Sequence, residues 1–143
     1  MNSKLNLKQW LIATGAVFIV LSILAFLVNR AVLVNWYPEQ TLQKPENLMM
    51  LRVWMYLSRL LFSAIFVYLF SLGYEGKPGI GQGLRYGLWV GLLMSLPGVF
   101  SSMVVTTSPV DFLVVRGAVG VIEILIAGVA VGLIYKGQKA ATA

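Results

Sequence analysis

Ser108–Tyr135, SPVDFLVVRGAVGVIEILIAGVAVGLIY, decides how the whole chain is understood. The run is long and apolar enough to cross a bilayer, yet Arg116 and Glu123 stand inside it. A charge at that depth costs on the order of 2.5–3.5 kcal/mol on insertion scales, so such residues face protein or water rather than lipid. The remainder of the chain is therefore expected to supply further apolar helices around them.

Composition points the same way. Of 143 residues, 59% are hydrophobic and only 11% are charged, with a mean hydropathy of +0.84. A soluble domain is nearer to about a quarter charged. Four spans of roughly 20 residues use most of the length and leave no room for a second domain. Cysteine is absent, which excludes disulfides, thiolate zinc sites and iron–sulfur clusters. Histidine is absent too, removing the usual haem, copper or zinc ligand and the usual proton shuttle near neutral pH. No metal and no cofactor is expected. The net charge of +6 is spread over helix ends without a dense patch. It suits anionic lipid headgroups better than nucleic acid, for which no role is expected.

The expected fold is all-α, an integral membrane four-helix bundle with spans over about 10–34, 48–72, 84–106 and 110–135. Lys4 and Lys8 ahead of the first run resemble a signal peptide. That run is too long for such a segment and lacks a small-residue cleavage site, so it is expected to be retained. Gly15 and Ser22 share one face of it, and Asn29, Arg30 and Trp36-Tyr37 lie at its far end. Lys44-Pro45 suits a helix start. Arg52 and Arg59 follow on one face, at depths roughly 10 Å apart. The loop GYEGKPGIGQG, Gly73–Gly83, separates the second and third spans. It lacks the GxxxxGK[ST] arrangement of a phosphate-binding loop. Gly83, Gly87, Gly91 and Ser95 recur every four residues, a smooth stripe on which another backbone can rest, and Gly128 and Gly132 repeat the spacing in the fourth span. Pro97-Gly98 is expected to kink the third helix. Ser108 and Asp111, with Pro109 between them, form a helix start.

Four spans place both termini on one side. Lys4, Lys8, Lys77, Arg85, Lys136 and Lys139 gather there, against Lys44, Arg30 and Arg52 on the other, so the positive-inside rule makes the termini cytoplasmic. Trp10, Tyr86, Trp89 and Tyr135 would mark the inner interface, and Trp36, Tyr37 and Trp54 the outer one. Counted from the outer end, Arg116 comes about one turn in, Arg59 about two and Glu123 about three. Glu123 is thus expected to pair with Arg59, Arg116 or both across the second and fourth helices, with Tyr56 as a further donor. The cluster either staples the helices and their partners or lines a water-filled path. No catalytic residue emerges: the Ser and Thr hydroxyls have no evident base, and Asp111 and Glu123 are too far apart for acid–base work.

The segments GYEGKPGIGQGLRYGLWVGLLMSLPG and EILIAGVAVGLIYK resemble a group of short, uncharacterised bacterial four-span membrane proteins over about the last two thirds of the chain. That resemblance implies bacterial inner-membrane placement and no activity. Members often carry a histidine near the position of Asn29-Arg30, which is missing here. In length the chain also resembles small multidrug transporters, but their essential glutamate lies in the first helix, where this chain has none. The expected role is a non-catalytic accessory or assembly subunit of a larger membrane complex, its partners being lipid and either other membrane subunits or itself. The alternative is a small homo-oligomeric transporter or channel that uses Arg59, Arg116 and Glu123. Bound lipid, quinone or pigment is a third possibility, although the chain lacks the usual axial histidine.

Overall fold

A computed structural model of the chain describes residues 6–36, 47–76 and 79–135. Four helices occupy them: α1 (Leu7–Trp36), α2 (Leu48–Leu72), α3 (Gly79–Val105) and α4 (Val110–Tyr135). Each is long and apolar enough to cross a membrane, and no strand occurs among the described residues. At 1.5 Å per residue these lengths reach roughly 37–45 Å, enough for a hydrocarbon core of about 30 Å. All four are apolar around most of their circumference, as expected of helices whose outer surface meets lipid.

Three boundaries differ from the sequence expectation, the first being the start of α1, at Leu7 rather than near Trp10. α3 begins at Gly79 rather than near Leu84, so the GIGQG portion of the presumed loop is helix. Glycine disfavours helix by about 1 kcal/mol relative to alanine, which is why the segment looks like a loop. Tertiary packing overrides that preference. α1 runs on to Trp36 through a π-helical turn, Asn29–Leu33, marked by the Val34 N–H donating to the Asn29 carbonyl. Residues 38–46 of the first polar connection with the Lys44-Pro45 helix start, Tyr37 of the outer belt, and Lys4, Lys77, Lys136 and Lys139 lie outside the described residues.

α3 and α4 form the tightest pair, an antiparallel hairpin in near backbone contact. The buried residues of α3 are all glycines: Gly79, Gly83, Gly87 and Gly91. A Cβ on Gly79 would meet the Gly132 carbonyl, and one on Gly83 the Gly128 carbonyl. On Gly87 it would lie 2.9 Å from the Leu125 Cα, and on Gly91 3.2 Å from the Val121 Cα. The seam continues with Ser95 against Gly120 and Val99 against Gly117. Gly83, Gly87, Gly91, Ser95, Gly128 and Gly132 face one another within the chain, so they offer no surface to a partner. In lipid there is little hydrophobic drive between helices, and close backbone approach over small residues supplies van der Waals contact instead. α3 continues as helix through Pro97.

α1 packs against both α2 and α4. Its buried face, Ala13, Val17 and Leu21, meets Phe66, Val67 and Phe70 of α2 and Ala127, Val131 and Tyr135 of α4 in one core. That core occupies the half of the bundle where α1 begins and α4 ends. Gln9 Nε2 donates to the Ile134 carbonyl at 3.3 Å, fixing those two ends side by side. Trp10 Nε1 donates to the Ala64 carbonyl at 3.2 Å, and Tyr86 Oη to the Phe66 carbonyl at 2.8 Å. An aromatic chain closes this end: Phe66 lies 4.8 Å from Tyr86, Phe70 5.4 Å from Tyr135, and Tyr135 5.7 Å from Tyr74. Tyr86 and Tyr135, expected at the membrane interface, thus turn inward, Tyr135 being only 5% exposed. Their hydroxyl-bearing rings bridge helices that do not approach closely by backbone.

Candidate functional site

The opposite half of the bundle is open. On α2 every residue from Asn47 to Ser58 is exposed, and burial begins only at Ser63. α3 and α4 stay together beyond that level, Ser95 against Gly120 and Val99 against Gly117, and clefts open between the helices.

Two clefts meet at the charged residues. The larger, about 580 Å³, lies between α2 and the α3–α4 hairpin, with Leu21 of α1 at its edge. Its walls are mostly apolar, including Trp54, Met55, Phe62, Met94 and Ile124, and its charged members are Arg59 and Glu123. The second, about 400 Å³, lies among α1, α2 and α4. Arg59, Arg116 and Glu123 line it together with Asn29 and Gly120. Met55, Arg59 and Glu123 belong to both clefts, so the Arg59–Glu123 level forms the boundary between them.

The local sequence explains how each group arrives there. Arg116, Gly120 and Glu123 follow the three-to-four-residue period of one helix face. Gly120 lies against Ser95, the hydroxyl oxygen being 3.1 Å from where a Cβ would stand. Arg59 stands one turn before Ser63, whose hydroxyl donates to the Arg59 carbonyl at 2.8 Å. That back-bond satisfies the serine hydroxyl inside the helix. Arg59, Arg116 and Glu123 line the same cleft, and no contact ion pair joins them among the described residues. Tyr56 is placed elsewhere: its ring sits 6.4 Å from Phe18 of α1 and lines neither cleft.

Asn29 is the site residue that sequence reasoning missed. An amide near the end of a span looks like an interfacial group. The π-turn of Asn29–Leu33 admits an extra residue into the helix, and both Asn29 and Leu33 line the smaller cleft. Such π-turns recur at functional positions. The available signal was a polar Asn-Arg pair interrupting a β-branched run.

Chemically, the lining of the two clefts presents two guanidinium groups, one carboxylate and one carboxamide among apolar walls. Guanidinium forks suit carboxylate or phosphate oxygens. No group of three His, Cys, Asp or Glu side chains able to hold a metal gathers among the described residues. Comparison of the chain with protein-family models, with curated proteins and with solved structures finds no match in any of the three. The helices are compatible with a small integral membrane protein, and any narrower role rests on the site geometry.

Proposed function

We propose that the chain is a multi-pass protein of the bacterial inner membrane with cytoplasmic termini, acting as a non-catalytic accessory or assembly subunit of a larger complex. The observation that carries this reading is the first half of α2. From Asn47 to Ser58 every residue is exposed and the one ring contact to another helix is Tyr56 with Phe18, while Met49, Val53 and Trp54 are 84%, 62% and 58% exposed. A membrane helix gains stability chiefly by packing and by interhelical hydrogen bonds, so a half-span left aside is a natural seat for a helix of another subunit. The glycine seam, used within the α3–α4 hairpin, has no part in this.

The test is a gentle-detergent pull-down of tagged protein from its native membrane, with mass spectrometry and native-gel sizing. A stoichiometric foreign subunit, lost when Met49 and Val53 are both replaced by Asn, is the expected result. A lone homo-oligomer would overturn the reading and favour transport. That second reading has one specific support: Arg59 and Glu123 stand at the boundary of two clefts. It requires ion or solute flux in vesicles that Glu123→Gln abolishes.

A further inference from the structure

We propose that the two joined clefts bind one phospholipid with a monoanionic phosphodiester head bearing free hydroxyl groups, the glycerol-type head of phosphatidylglycerol. Charge is the first reason. The charged lining of the two clefts is Arg59, Arg116 and Glu123, which leaves one positive charge without a counter-ion. Intramembrane charges are retained where they pair, and a single phosphodiester completes the balance. Its oxygens fit the guanidinium forks of Arg59 and Arg116. The Glu123 carboxylate accepts a hydrogen bond from a head hydroxyl, and the Asn29 carboxamide can give or take another. A choline head, which has no hydroxyl and carries its own cation, satisfies neither.

Depth is the second reason. Along α4, Arg116 stands roughly 9 Å and Glu123 roughly 20 Å from the helix start, and Arg59 roughly 17 Å along α2. A helix of this length extends several ångströms past each face of a hydrocarbon core of about 30 Å. Arg116 therefore lies just below the headgroup level, within reach of a phosphate by its long side chain. Arg59 draws the head a further turn or two inward. The third reason is shape. Beside Arg59 the cleft widens into an apolar cavity of about 580 Å³ walled by Trp54, Phe62, Met94 and Ile124, which takes an acyl chain. A few polar groups, Ser58, Arg59 and Glu123, set among apolar walls in a cavity of this size are the usual build of a ligand site. Basic pockets between spanning helices bind anionic lipid heads elsewhere by the same physics.

The site is independent of any partner subunit, so it is tested on the purified chain alone. Protein in mild detergent is mixed with equal phosphatidylglycerol and phosphatidylcholine, and retained lipid is read by native mass spectrometry. Thermal stability is followed in nanodiscs of each lipid. The expected result is one retained phosphatidylglycerol per chain, preferred at least tenfold, with a higher Tm in phosphatidylglycerol discs. Arg116→Gln, exposed on α4 and outside the core, is expected to reduce the preference at least fivefold. Arg52→Gln, an equally basic residue of α2 that lines neither cleft, is expected to leave it unchanged. Equal retention of the two lipids by the native chain would overturn the proposal. So would equal effects of the two variants, which would mean general attraction of anionic lipid. Stabilisation by water-soluble glycerol phosphate to the same extent would overturn the role of the apolar cavity and point to a free phosphate ester.

Discussion

At the scale of single residues, burial separates groups that hold the bundle from groups that it merely tolerates. Tyr86 Oη donates to the Phe66 carbonyl at 2.8 Å, a polar tie between α2 and α3. Tyr86→Phe keeps the ring contacts and removes that bond, so it is expected to cost about 0.6–1.7 kcal/mol of stability in detergent unfolding. Thr14 is the reverse case. Its hydroxyl is buried without a hydrogen-bond partner, and an unsatisfied buried hydroxyl costs about 1–3 kcal/mol. Thr14→Val keeps the branched shape and is expected to raise the Tm. Glu123→Gln leaves Arg59 and Arg116 facing each other's charge with nothing opposing it. It is expected to destabilise the chain by about 1 kcal/mol, within the range measured for polar interactions in membranes. An unchanged Tm and oligomeric state would remove Glu123 from any structural role. Much of this scale was legible in the chain. Arg59, Arg116 and Glu123 stand out because charge is rare in an apolar run, and the structure brings them around shared clefts. Tyr56 and Asn29 were not legible: helical spacing says which face a residue occupies, and neither the Phe18 contact nor the π-turn is a matter of spacing.

At the scale of elements, the hairpin of α3 and α4 depends on side chains that are missing. Within one turn of α3, Gly83 has the Gly128 backbone against it, whereas a Cβ on Gly81 would find nothing within 4 Å. Gly83→Ala is therefore expected to lose about 1–3 kcal/mol or more by forcing the backbones apart. Gly81→Ala is expected to gain about 0.5–1 kcal/mol from reduced chain entropy. Both are measured by unfolding the purified protein, and the opposite signs are the check. The same pair of residues shows where sequence reasoning stopped. Local preference marks Gly79 to Gly83 as loop, while the four-residue period carries Gly79 into the stripe of Gly83, Gly87 and Gly91. Period was the better guide, because packing across the seam sets helix length here and glycine preference does not. What the period cannot say is whose backbone lies on the stripe, and that question is answered only by the paired carbonyls of Gly128 and Gly132.

At the scale of the molecule, hydropathy and length made the four long apolar helices legible, and α2 and α4 begin and end where expected. The antiparallel order of the helices has a direct consequence for labelling. The native chain has no cysteine, so single replacements can be labelled from either face of a sealed membrane without background. Lys8→Cys and Arg85→Cys are expected to react from one face, and Trp36→Cys and Thr107→Cys from the other. Reaction of Lys8→Cys and Arg85→Cys from different faces would break the four-span arrangement. The side on which each set reacts also tests the positive-inside assignment. Sequence could not show that the bundle is closed at one end only, since that follows from aromatic contacts between residues far apart in the chain, such as Phe70 with Tyr135.

The unequal closure also makes the molecule mechanically lopsided. α3 and α4 meet along a seam with almost no side-chain slack, whereas α2 is held by aromatic rings over its second half and by little over its first. The first is packed along its whole length, and the second is buried only from Ser63 onward. Spin labels at Leu84 and Ile126 are expected to give a narrow distance distribution, and labels at Val53 and Val110 a broad one. For a chain placed in a bilayer, a change of bilayer thickness is expected to displace the first half of α2 more than the α3–α4 hairpin.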